Sequence, residues 1–191
     1  MLKIINRILV VMMMLGTGVI VYLDISSGIY GRIIVYLSIL LVILIPWILN
    51  KTKFKLNEKQ ELIFLIFMFI ADFFGGIVNL YKYTSWFDVF AHYSFGLVGF
   101  LMAIFILIKL GEYDSNKTFF NLLFIFGIIG MCASLWEIAE FSVDCFAGTN
   151  LQYNLETGVR DTMEDIIVAF LGGLTILPFY LIKIKKRKKN A

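Results

Sequence analysis

Long apolar runs separated by short polar breaks set the pattern of this chain. The runs lie at about residues 4–23, 29–49, 61–81, 87–109, 118–146 and 162–183. Each reaches the roughly 20 residues that an α-helix needs to cross a hydrocarbon core of about 30 Å. Six transmembrane helices are therefore expected, in a single integral membrane domain over residues 1–191. The predicted class is an all-α, polytopic membrane helix bundle, because helices satisfy their own backbone groups where water is absent. The breaks are short. The longest, Ala147 to Arg160, is rich in Gly and Asn and leaves no room for a separate soluble domain. Lys3 and Arg7 ahead of the first run imitate the start of a signal peptide, but no small-x-small cleavage site follows, so that run is read as a helix.

Composition fits this reading: 60% of the residues are hydrophobic and the mean hydropathy is +0.88. Cys132 and Cys145 fall on one predicted helix about 20 Å apart, too far to bridge each other. No CxxC metal motif is present.

Basic residues orient the helices. With both termini cytoplasmic, all Lys and Arg except Arg32, Lys82 and Arg160 fall in inner segments. The basic tail from Lys183 onward reads as a topology anchor against anionic membrane lipid, not as a nucleic-acid patch. Acids go the other way. Asp24, Asp72, Asp88, Glu137, Glu140, Asp144, Glu156, Asp161, Glu164 and Asp165 all fall outside or in the outer half of a span.

Within span five, Glu137, Glu140 and Asp144 share one helical face. An ionisable side chain at the centre of a membrane helix costs about 2.5–3.5 kcal/mol on insertion scales, so such residues serve a site or pair with something. Span four aligns Asp88, His92, Gly96, Gly99 and Ala103; span five aligns Gly130, Ser134, Glu137 and Asp144; span six aligns Asp161, Asp165, Ala169 and Gly172. Small residues let membrane helices approach closely. Packing those seams together is expected to bring the acids and the lone histidine, His92, into one outward-facing pocket.

Plainer readings compete. Asp161 with Glu164, and Ser85 with Asp88, both fit helix capping boxes. Asp24 and Glu156 read as solvated loop acids. Arg160 is placed to reach Asp161, Glu137 or Asp144 in a structural ion-pair network. One arginine and one histidine do not balance six acids, and a divalent metal ion suits the remainder. An imidazole with several carboxylates fits Zn²⁺, Mn²⁺ or Fe²⁺, and the carboxylates alone would accept Mg²⁺ or Ca²⁺. His92, Glu137, Glu140 and Asp165 are the expected ligands, with Asp88 or Asp161 completing the shell or acting as general base, and Asp144 and Arg160 as auxiliary groups.

Asp88-x3-His92, Trp136-Glu137-x2-Glu140 and Asp161-Thr162-x2-Asp165-x6-Gly172 together resemble the YjdF-like family of bacterial inner-membrane proteins. The resemblance covers about the last two-thirds of the chain. Met163 and Phe141 stand where that family often has Gln and Trp. A fainter likeness is to VanZ-like proteins, associated with glycopeptide resistance at the cell surface. The resemblance implies a bacterial plasma-membrane location and this residue set, not a reaction.

The leading functional expectation is a small metal-dependent membrane enzyme, a hydrolase or transferase, acting on a lipid or lipid-linked envelope precursor. A proton- or cation-coupled transporter, and a non-catalytic membrane partner whose polar network fixes helix register, remain as alternatives.

Overall fold

The computed structural model describes residues 1–30, 33–84, 86–152 and 158–189, and every element among them is a helix. Ser85, Arg32 and Glu156 lie outside the described residues. In chain order the elements are α1 (Leu2–Ser26), α2 (Ile33–Ile43), α3 (Ile45–Leu49), α4 (Glu58–Met68) and a π-helix (Phe69–Ile77). Then follow α5 (Leu80–Tyr83), α6 (Trp86–Leu110), α7 (Thr118–Ala147) and α8 (Arg160–Lys189).

Among the described residues, five helical stretches are long and apolar enough to cross a membrane: Leu2–Ser26, Glu58–Ile77, Trp86–Leu110, Thr118–Phe146 and Arg160–Lys186. Large apolar side chains such as Ile8, Val19, Leu123 and Phe179 stand exposed along them, as hydrocarbon surroundings allow. The apolar block at 29–49 is not one continuous helix. It divides at Leu44 into α2 and α3, with Pro46 in the first turn of α3. A proline lacks the N–H of the helical ladder and its ring clashes with the carbonyl four residues back, which accounts for the break.

The chain forms two compact units, Met1–Ala91 with Cys145–Thr149, and His92–Asp144 with Asn150–Ala191. In the first, α1 packs along α4 and the π-helix. Met13, Tyr36, Ile39, Ile43, Leu65, Met68 and Ile77 form its core. Asn6 Nδ2 donates to the Glu58 carbonyl at 3.1 Å, and the Tyr36 hydroxyl donates to Asp24. Asn57 starts α4 with a reciprocal capping box to Gln60, an arrangement that satisfies two otherwise orphaned N–H groups.

In the second unit, Phe100, Ala103, Ile125, Ile129, Ala133, Ala169, Tyr180 and Ile184 make the core between α6, α7 and α8. Its small residues are obligatory. A Cβ added at Gly96 would lie 1.9 Å from the Ala169 carbonyl oxygen, and one at Gly172 would lie 2.1 Å from that of Tyr93. These two helices therefore meet backbone to backbone. At Gly130 the Phe170 ring fills the space a side chain would take, 2.7 Å from an added Cβ. At the other end of the unit, fully buried Asn121 donates through Nδ2 to the Asp114 carbonyl at 2.7 Å and to the Tyr180 hydroxyl at 3.1 Å. That contact pins the turn after α6 to the far end of α8.

Candidate functional site

Three buried ionisable groups come together where α6, α7 and α8 converge. His92 on α6 is 8% exposed, and Glu137 on α7 and Asp165 on α8 are each 3% exposed. His92 Nε2 lies 3.8 Å from Glu137 Oε1 and 3.8 Å from Asp165 Oδ2. Asp88 stands one turn before His92 on the same helix, and one ligand atom from each of Asp88, His92 and Asp165 lies within 4.8 Å of the others.

The seam explains the convergence. Gly96 is one turn beyond His92 and Ala169 one turn beyond Asp165, so the closest approach of α6 and α8 holds both side chains at one level. The separations fit a shared cation better than direct bonding between these pairs. At 3.8 Å they exceed a nitrogen–oxygen hydrogen bond of about 2.7–3.2 Å. They lie near the roughly 3.3–3.5 Å that separates two ligands across a tetrahedral ion with bonds of about 2.0–2.1 Å. One imidazole and up to three carboxylates are also an ordinary donor set for a divalent metal. The residues therefore fit such an ion.

The other expected site residues are placed differently. Glu140 Oε1 accepts the Trp136 indole N–H at 2.7 Å, and Glu140 is not in the group formed by Asp88, His92 and Asp165. The spacing of four that aligned Glu140 with Asp144 equally suits an aromatic partner one turn away. Asp144 holds the chain that follows α7: its Oδ1 accepts from Leu151 N–H at 2.7 Å and its Oδ2 from Gln152 N–H at 3.1 Å. Asp161 sits partly buried in the first turn of α8. Arg160 turns away to Glu164, Nε to Oε1 2.6 Å, with side chains 76% and 51% exposed. That pair leaves the arginine out of the group formed by Asp88, His92 and Asp165, and solvent screens exposed pairs of this kind.

Gln152 is the participant that sequence reasoning missed. It is buried, and its Nε2 donates to the Glu137 carbonyl and to Thr162 Oγ1, each at 3.1 Å. Both amide hydrogens thus tie α7 to α8 at the level of the site. No periodicity marks a loop glutamine. The one available signal was Asp144, an acid at a helix end of the sort that gathers backbone N–H groups. Gln152→Ala is expected to lower the melting temperature by about 2–6 °C, since each net hydrogen bond is worth about 0.5–1.5 kcal/mol. Supporting contacts of this kind also govern ligand orientation, so metal affinity is expected to fall about 10–100-fold. Thermal denaturation and metal titration of the purified variant check the two effects.

Apolar helices of membrane-crossing length, with a buried His/Asp group between them, define a membrane protein carrying a candidate metal-binding group. The chain belongs to the family described as "Predicted membrane protein (DUF2238)", whose model matches residues 8–186. That family is consistent with the YjdF-like resemblance. A protein of Thermotoga maritima described as "Uncharacterized protein" is 29% identical over 148 residues, covering 76% of this chain and 71% of the relative. No solved structure matches the chain significantly.

Proposed function

We propose that this protein is a small metal-dependent membrane enzyme, a hydrolase or transferase acting on a lipid or lipid-linked envelope precursor. The observation that carries the reading is His92 Nε2 standing 3.8 Å from two buried carboxylates on two other helices. Asp88, His92 and Asp165 hold the ion and Glu137 closes its shell. A divalent ion in such a position supplies a Lewis acid that polarises a phosphoryl or carbonyl oxygen and eases the ionisation of water. Asp161, one turn before Asp165 on the same helix, takes up the proton released by the attacking group. Gln152 fixes the spacing of α7 and α8 around the substrate.

In this reading the protein lies in the bacterial plasma membrane with six spans, α2 and α3 together forming the second. Both termini are cytoplasmic and the site opens to the extracytoplasmic side. The support is the charge distribution: apart from Arg32, Lys82 and Arg160, every basic residue falls in a segment assigned to the inside. A substrate with acyl chains in the bilayer and a polar head at the site matches a polar cluster carried by lipid-facing helices. Support for an enzyme over a transporter comes from the seam, where Gly96 and Gly172 bring α6 and α8 into backbone contact next to the site.

Metal analysis of the detergent-purified protein, followed by turnover of a lipid-linked phosphate substrate with and without chelator, is the test. About one divalent ion per chain and chelator-sensitive turnover are expected. Substoichiometric metal that His92→Ala leaves unchanged would remove the proposal.

A further inference from the structure

A chain of hydrogen bonds in the second unit starts away from the buried ionisable groups and ends on the segments that carry them. Asp144 lies two turns beyond Glu137 on α7. It accepts through Oδ1 from Leu151 N–H at 2.7 Å and through Oδ2 from Gln152 N–H at 3.1 Å. Hydrogen bonds to an ionised acceptor are roughly twice as strong as neutral ones, so this carboxylate fixes the backbone from which Gln152 projects. The Gln152 side chain is buried, and its Nε2 donates both to the Glu137 carbonyl on α7 and to Thr162 Oγ1 on α8, each at 3.1 Å. A primary amide has two N–H hydrogens and both are committed. Turning the side chain would break both bonds in a buried place, where unmade hydrogen bonds are costly.

The packing of α7 on α8 leaves work for such a tie. α6 and α8 meet backbone to backbone at Gly96 and Gly172, an approach that no side chain can relax. Between α7 and α8 the close contacts are made by side chains instead: the Phe170 ring against Gly130, and Ile129 and Phe126 against Gly173. Gly130 lies two turns before Glu137, and Gly173 two turns beyond Asp165, so these contacts sit to one side of the ionisable groups. On the other side, Gln152 joins the two helices through directed bonds. Glu137 is itself the residue whose carbonyl receives the amide. Thr162 precedes Asp165 by one turn, about 4.5 Å along the helix axis. Donors of a metal site must be held to within about 0.5 Å, a tolerance that a shift of α7 against α8 would exceed.

We infer that Asp144 and Thr162 are positioning residues of the centre at His92. The Asp144 carboxylate sets Gln152, and Gln152, bonded to the Glu137 carbonyl and the Thr162 hydroxyl, sets the separation of Glu137 and Asp165. The inference rests on the metal reading of that centre. The test is Co²⁺ titration of the full-length, detergent-purified protein after metal stripping, reading affinity and, from the visible absorption band, the geometry of the ligands. Thr162→Val is expected to weaken Co²⁺ binding about 3–10-fold, the loss of one net hydrogen bond. Thr162→Ser keeps the acceptor and is expected to bind as the wild type does. Asp144→Ala is expected to weaken binding about tenfold or more and to shift the band. In a Gln152→Ala background the same change is expected to cost less than about twofold, because its effect passes through the amide. Ser142→Ala is the control: that hydroxyl bonds the Ile138 carbonyl of its own helix at 2.7 Å, and its loss should move neither readout. Unchanged affinity and band in either Asp144→Ala or Thr162→Val, whatever the melting temperature, overturns the inference. So does full additivity of Asp144→Ala with Gln152→Ala. If Asp144→Ala does not fold, Thr162→Val and Thr162→Ser decide. A wild-type protein that takes up no Co²⁺ removes the metal reading itself, and the inference with it.

Discussion

Gly96→Ala is expected to unfold the second unit several degrees early and to weaken metal binding without altering any ligand. The added Cβ would sit 1.9 Å from the Ala169 carbonyl oxygen, 2.9 Å from its carbonyl carbon and 2.9 Å from the Gly173 nitrogen. All three are backbone atoms, so no side-chain rotation relieves the clash and α6 must move away from α8. Overpacking of this kind costs about 3 kcal/mol or more when backbone has to shift, equivalent to a melting temperature lower by about 6–12 °C for a chain of this size. Because His92 is one turn from Gly96 and Asp165 one turn from Ala169, the same movement draws the imidazole and the carboxylate apart. Metal affinity should therefore fall together with stability. Gly127→Ala is the control: nothing lies within 4 Å of a Cβ added there, and the change should be near neutral. Differential scanning fluorimetry with metal titration reads both quantities. A Gly96→Ala protein of unchanged melting temperature would mean that the seam is not the closest contact of these helices.

Asp165→Asn carries the second large effect. A four-ligand divalent site worth about 10–16 kcal/mol spreads that energy over its donors, so one lost carboxylate is expected to cost roughly 100–1,000-fold in affinity. The asparagine keeps the volume and a neutral oxygen, and the fold of α8 should survive. His92→Ala should match it in affinity and also leave a small void. Glu140→Gln should lose less than tenfold, since Glu140 accepts the Trp136 indole N–H and is not in the group of Asp88, His92 and Asp165. Isothermal titration of the three variants ranks them directly. Equal losses for Glu140→Gln and Asp165→Asn would place Glu140 in the shell beside Asp165.

Much of this architecture was legible in the residues themselves. The bounds of α6 and α7 follow from apolar runs ended by polar segments. The small-residue stripes on α6 and α8 announced a close seam, and that seam places His92, Glu137 and Asp165 together. What escaped depended on tertiary contacts or on backbone detail. Glu140 and Asp144 share a face with Glu137, but periodicity cannot distinguish an acid that points to an indole, or holds the next loop, from one that enters a pocket. Gln152 carries no sequence signal at all, because its role follows from the path of the chain after Asp144. The π-helix at Phe69–Ile77 has no propensity signature and was not expected. Pro46 was visible throughout, yet the length of the apolar block around it outweighed the break it causes.

The length of α8 has a further consequence for how the protein responds to its lipids. Asp165 and Lys183 are carried by one helix, about 27 Å apart along its axis, close to the thickness of a bilayer core. If the lysines keep to one headgroup layer, the depth of Asp165 below the other becomes a function of acyl-chain length. Thick bilayers would draw the carboxylate inward and thin ones would tilt the rod, so hydrophobic mismatch alone should tune how readily ions reach it.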